Sequence, residues 1–121
     1  MWIGLGGALG AMSRFTLANA VFKWLGKAYP YGTLSVNLIG SFLIGMAYIW
    51  LVENEFGGDP HRHFIMVGFL GAFTTFSTFS LESLTLLQQG RTMAFFTYIA
   101  LSLIGCMLAT ALGMILTKQL V

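Results

Sequence analysis

Two long runs of this chain, residues 28–52 and 92–117, contain no charged side chain at all. The hydrocarbon core of a bilayer is about 30 Å thick and takes roughly 20 apolar residues of helix to cross. Each run is long enough to do so. A third, residues 63–89, is broken only by Glu82 near its end, and the first, residues 1–25, carries Arg14 and Lys23. The connections are short and hold turn residues: Pro30 in the first, Gly57, Gly58 and Pro60 in the second, Gly90 in the third. The pattern predicts an all-α membrane protein with four transmembrane helices, near residues 1–25, 30–52, 63–89 and 92–117, in a single domain over 1–121. Only 8% of the residues are charged, against about 25% in soluble domains.

Other classes recede on the same counts. A net charge of +2 gives no basis for nucleic-acid binding. The lone Cys106 lies in an apolar run, so no disulfide framework exists. The N-terminus has no basic leader ahead of its apolar residues, so a removable signal peptide is not expected.

Alternate connections fall on opposite faces of a membrane. One face receives Lys23, Lys27 and Arg91; the other receives Arg62 and Lys118. The acids Glu53, Glu55 and Asp59 count for little in the positive-inside rule. With almost no bias, the chain can insert both ways, which would allow an antiparallel homodimer.

Each predicted helix carries small or polar residues at helical spacing. Gly6 and Gly10, then Gly7 and Ala11, suit a close helix crossing rather than a dinucleotide loop, since Leu9 stands where the third glycine would fall. Arg14 has two readings: a snorkelling cation at an interface, or an inward charge that attracts anions or pairs with an acid. Thr33, Asn37 and Ser41 fall within an arc of roughly 80° on a helix; they either glue helices together or line a polar path. Tyr98, Ser102, Cys106 and Thr110 form a matching stripe with the same two readings.

The third run departs furthest from a plain span. Residues 74–80, TTFSTFS, contain nothing but hydroxyls and phenylalanine rings. In lipid such polarity is tolerated only where protein or a water-filled cavity meets it. Gly68, Gly71 and the Phe73-Thr74-Thr75 triplet weaken the helix, which predicts a break near 71–75 and a half-helix resuming at Phe76. Broken helices offer carbonyls to cations and amino termini to anions.

Catalytic and metal chemistry find little footing. His61 and His63 flank Arg62 in a polar loop, without a cysteine or carboxylate at ligand spacing. Glu82 is the one acid near a span, too few for a proton relay. Passive transport therefore outranks catalysis, and no enzyme is expected. Two alternatives stand beside it. A small multidrug-type transporter shares the length and the helix count but needs a carboxylate on the first helix. A non-transporting membrane subunit would use the same stripes only to pack against partners.

GGALGAMSRF (residues 6–15), GTLSVNLIGSFLIG (32–45) and GFLGAFTTFSTFSLE (68–82) resemble the Fluc family of fluoride channels, also called the CrcB family. The resemblance covers all four spans in order. It implies a dual-topology, antiparallel homodimer in a bacterial inner membrane, with two fluoride pores through which fluoride leaves the cytoplasm passively. It also implies a structural sodium ion at the dimer interface, held by backbone carbonyls of Gly71 and Thr74. Phe76 and Phe79 match the pore phenylalanines, and Asn37 the pore-lining asparagine. Tyr98, Ser102, Thr78 and Ser80 match pore-associated positions, while Thr75, Ser77 and Glu82 extend the polar track and Arg14 lies near a pore mouth. Cys106 stands where a hydroxyl is expected, and a thiol is the weaker donor. Ring edges carry the positive part of the aromatic quadrupole, so edge-on phenylalanines suit a small anion without trapping it.

Overall fold

The computed structural model describes residues 1–53 and 58–120. Glu55 and Gly57 of the second connection lie outside the described residues. Helix α1 (Trp2–Leu25) ends where Gly26 adopts a φ of 84°, its N–H donating to Phe22 O at 2.8 Å. Only glycine takes such a left-handed position without strain. Pro30 then opens α2 (Tyr31–Ala47), and the helix runs on in π-helical geometry through Tyr48–Glu53.

The third run begins at α3 (Asp59–Arg62), earlier than residue 63. Pro60 sits in its first turn, where a missing N–H costs nothing, and Gly58 N–H donates to His61 Nδ1 at 3.3 Å. His61 and His63 are thus exposed but helical, rather than part of a loop. The run continues through the π-helical His63–Leu70, then α4 (Gly71–Phe73) and α5 (Phe76–Gln88). After Gly90, at φ 77°, α6 (Thr92–Leu120) completes the described chain.

Among the described residues, three helical runs are long and apolar enough to cross a bilayer: Tyr31–Glu53, Asp59–Gln88 and Thr92–Leu120. The chain is a multi-pass, all-helical membrane protein. Helix α1 has 24 residues but is less apolar, diluted by its glycines, Arg14 and Asn19. The ends pair as alternate connections should. Arg91 Nη1 donates to Ala28 O, which joins the first and third connections. At the other end Lys118 Nζ lies 3.9 Å from Glu53 Oε2, and the Trp2 and Phe64 rings meet edge-on.

Lipid tails are as apolar as leucine, so membrane helices are held by close contact rather than by expulsion of water. Two seams provide it. A methyl group on Gly6 or Gly10 would strike the backbone of Phe64 or Phe69, and one on Gly68 would strike that of Ile3. Likewise, one on Gly45 would strike Thr110 O and one on Gly113 would strike Phe42 O. Helix α1 is therefore pressed against the segment 63–70, and α2 against α6. The close crossing read from Gly6 and Gly10 is met by Gly68 from the opposite side. Leu101, Ile104, Leu108, Leu112 and Ile115 of α6 stay exposed, forming an apolar outer face suited to lipid.

Candidate functional site

Between α4 and α5 the backbone leaves the helix. Thr74 (φ −90°, ψ 157°) and Thr75 (φ −150°, ψ 123°) are both extended. Two unsatisfied helix ends inside a membrane require partners, and three side chains supply them. Asn37 on α2 clasps Thr75 on both sides: its Nδ2 donates to Thr75 O at 3.0 Å, and Thr75 N–H donates to its Oδ1 at 2.9 Å. Arg14 on α1 donates from Nε to Ala72 O at 3.1 Å, placing a cation against the negative end of the upstream helix. Thr75 caps α5, its Oγ1 accepting from Thr78 N–H at 3.3 Å and donating to Thr78 Oγ1 at 3.1 Å.

Arg14 therefore turns toward the break, where its partner is a main-chain carbonyl rather than an acid. Asn37 does glue helices, with the twist that it binds a broken backbone rather than another side chain. Its carboxamide has two N–H donors and an acceptor; the clasp uses one donor and the acceptor, leaving one N–H.

The clasp diverts donors as well. In an unbroken helix Thr75 N–H would reach the Gly71 carbonyl and Thr78 N–H the Thr74 carbonyl. Here they go to Asn37 and to the Thr75 hydroxyl. Thr74 Oγ1 turns back to Leu70 O at 3.0 Å.

A cavity of about 390 Å³ opens beside the break, lined by residues that include Asn37, Thr75, Phe76, Phe79, Ser102 and Cys106. Gly71 and Thr74 also border it. Ser102 is buried, and its hydroxyl has no hydrogen-bond partner. Of its stripe, Tyr98 and Thr110 are tied: Tyr98 OH donates to Glu82 Oε1 at 3.1 Å, and Thr110 Oγ1 donates to Ser41 O at 3.0 Å.

A smaller cavity of about 130 Å³ shares Thr75 with the first and is bordered by Arg14, Thr33, Thr78 and Glu82. A third, of about 390 Å³, shares Glu82 and reaches Lys27, Gln89 and Arg91 at the end of the bundle. A row of openings thus runs from one end to the break. Aromatic rings follow the same course. Phe76 and Phe79 have centroids 5.3 Å apart, Phe79 and Tyr98 5.1 Å, and Tyr98 and Tyr29 5.7 Å. Phe79 and Tyr98 are buried, whereas Phe76 is 70% exposed.

Not every sequence candidate joins the cavities. Ser77 is exposed and lies 3.5 Å from Thr75 Oγ1; Ser80 is half-buried on α5; neither borders these openings. Tyr98 acts through its ring and its bond to Glu82. Sequence reasoning missed Tyr29, whose hydroxyl sits 3.3 Å from Thr97 Oγ1 and whose only signal is an aromatic residue just before Pro30. It also missed Met66 and Met107 on the large cavity wall, since methionine in a membrane helix carries no pattern of its own.

Comparison with known proteins covers the whole region. Residues 1–114 match the family described as CrcB-like protein, Camphor Resistance (CrcB). A Hahella chejuensis protein named "Fluoride-specific ion channel FluC" is 48% identical over 118 residues, spanning 98% of this chain and 93% of that protein. One of the same name from Magnetococcus marinus is 46% identical over 117 residues, spanning 97% and 95%. A match that runs unbroken from α1 through the clasped threonines and well into α6 leaves a single assignment: the chain belongs to the CrcB family.

Proposed function

We propose that this chain is the subunit of a passive, fluoride-selective channel that lets fluoride leave a bacterial cytoplasm across the inner membrane. The observation that carries the reading is Ser102: a buried hydroxyl without a partner, on a residue that borders a cavity beside phenylalanine rings. A buried donor left unpaired costs about 1–3 kcal/mol, so its retention makes sense where a passing anion is the missing partner. Fluoride is small and strongly hydrated, and a pore must replace water's donors at close range. Ser102, the spare Asn37 N–H and the edges of Phe76 and Phe79 are donors of graded strength. None is a fixed cation in the cavity itself, so the ion is met without being trapped. Arg14 lies one cavity away, where it offsets the carbonyls of the break. Both named relatives are called fluoride-specific channels, which supports the same ion here.

The assembly we propose is an antiparallel, dual-topology homodimer in which α1 serves as a fourth span and the third span is broken at Thr74 and Thr75. The near-balanced basic residues at the two ends support insertion both ways. The exposed Phe76 and Ser77 call for cover that a second copy would supply. A structural sodium ion fits the break from its carbonyl side. Gly71 and Thr74 would hold it by main-chain oxygens, since the helical donors to both are diverted. Two oxygens from one chain are few for a cation, so the second copy would add the matching pair.

The test is ion efflux from liposomes holding the purified protein, driven by a potassium–valinomycin potential and read with fluoride and chloride electrodes. Rapid fluoride loss with chloride retained is the expected result. Well-folded protein that releases no fluoride would defeat the channel and leave a packing subunit as the account.

A further inference from the structure

The two openings on the far side of the break meet at three residues. The inner one, of about 130 Å³, is bordered by Arg14, and the outer one, of about 390 Å³, by Lys27 and Arg91. Asn19, Phe22 and Glu82 border both. The gap exists because α1 presses on the segment 63–70 and on α4, while α5, redirected by the break, stands off from it. The Phe22 ring lies over Gly32, where a methyl group would strike it, and so supplies a fixed apolar wall. Glu82 is half-buried on α5, and its Oε1 accepts from Tyr98 OH at 3.1 Å. Asn19 is exposed on α1, and among the described residues no hydrogen bond engages its carboxamide.

An anion moving between Lys27 or Arg91 and Arg14 has to pass this neck, with a carboxylate on one side. Protein walls lower the effective dielectric, so like charges repel there more strongly than in bulk water. None of the three cations borders both openings, so their pull is weakest where the repulsion is greatest. Phenylalanine and a carboxylate have no N–H to offer, whereas a carboxamide has two. We propose that Asn19 is an anion-contacting residue of the conduction path, whose amide N–H groups bring fluoride past the Glu82 carboxylate. The inference rests on the channel reading and adds to it the step between the mouth and the break. A neutral donor suits that step, because it offsets the carboxylate without pairing with it as a cation would or holding the ion in place.

The test is fluoride efflux from liposomes holding the wild-type protein, Asn19→Leu, Asn19→Asp or Glu82→Gln, with Asn19→Leu also made in the Glu82→Gln background. Asn19→Leu keeps the volume but donates nothing, and efflux is expected to fall about tenfold or more, the worth of one hydrogen bond to a charged group. Asn19→Asp sets a second carboxylate opposite the first and is expected to fall further. Thermal midpoints should match the wild type, since the carboxamide has no bond to lose; Asn19→Ala replaces Asn19→Leu should the latter not assemble. In the Glu82→Gln background the loss on Asn19→Leu is expected to shrink to about threefold or less, a coupling that a merely structural asparagine would not show. Wild-type efflux in both Asn19 variants, or a loss of equal size with and without the Glu82 carboxylate, would overturn the proposal. Should Glu82→Gln itself pass no fluoride, the single variants decide, and Asn19→Asp no slower than Asn19→Leu overturns it. Wild-type protein that passes no fluoride would defeat the channel reading itself, and this inference with it.

Discussion

Helix α6 behaves in two opposite ways within a few turns. At Gly113 it is sealed against α2, with Phe42 O where a side chain would begin and Gly45 meeting Thr110 O in return. At Ser102 and Cys106, on an equally small-residue stretch, it stands back from its neighbours and borders a cavity of about 390 Å³. The residues differ by little more than a hydroxyl or a thiol. What differs is the partner across the gap: continuous helix at Gly113, a broken helix at Ser102. A small residue in a membrane helix thus permits either intimate contact or open space, and the opposing backbone decides which.

Substitutions can set the two regions apart. The largest effect is expected from Gly113→Leu. The new side chain meets backbone rather than a movable side-chain tip, so the overpacking cost should be about 3 kcal/mol or more. Loss of assembled protein in size-exclusion chromatography would report it; tolerance of leucine would mean the seam is looser than its contacts imply. Next is Asn37→Ala, which strands the N–H and C=O of Thr75 at once. Each stranded group costs about 1–3 kcal/mol, so a lower thermal midpoint should accompany loss of flux. Asn37→Asp, which keeps the acceptor but lacks the donor, should fall between.

Phe76→Ile and Phe79→Ile act on the open side. A ring contact is worth about 0.5–1.5 kcal/mol, so fluoride efflux should fall up to about tenfold in each while the protein still assembles as the wild type does. Wild-type flux in both would refute the ring-edge role. The smallest change in stability belongs to Ser102→Ala. Its hydroxyl has no partner to lose, so the thermal midpoint should stay or rise, within about 1 kcal/mol, while flux drops. A marked loss of stability would reveal a structural bond and remove the main support for the pore.

The sequence spoke unevenly about these two regions. Gly6 and Gly10 announced a close crossing, because glycine at helical spacing in a span has few other uses. The near-even split of Lys23, Lys27 and Arg91 against Arg62 and Lys118 could be counted before any fold was known. The hydroxyl–phenylalanine run at 74–80 drew attention to the segment that borders the large cavity. Arg14 and Asn37, by contrast, each carried two readings that no spacing argument could separate. Their partners, Ala72 O and Thr75, lie 58 and 38 residues away, and both are main-chain groups. A backbone carbonyl leaves no mark in a sequence, and whether it is free depends on a break that other helices stabilise.

Sequence alone determined that this is an all-helical, multi-pass membrane protein, because an uncharged run of bilayer length has nowhere else to go. It also set which residues were polar enough to matter inside the span. Tertiary structure decided which of those polar groups are spent and which are spare. Asn37 and Arg14 are bound up in holding the break, Tyr98 and Thr110 are tied to Glu82 and Ser41, and the Ser102 hydroxyl is left without a partner. Hydrogen bonds are short and directional, so an accounting of donors closes only when three helices stand at fixed distances around the same two threonines.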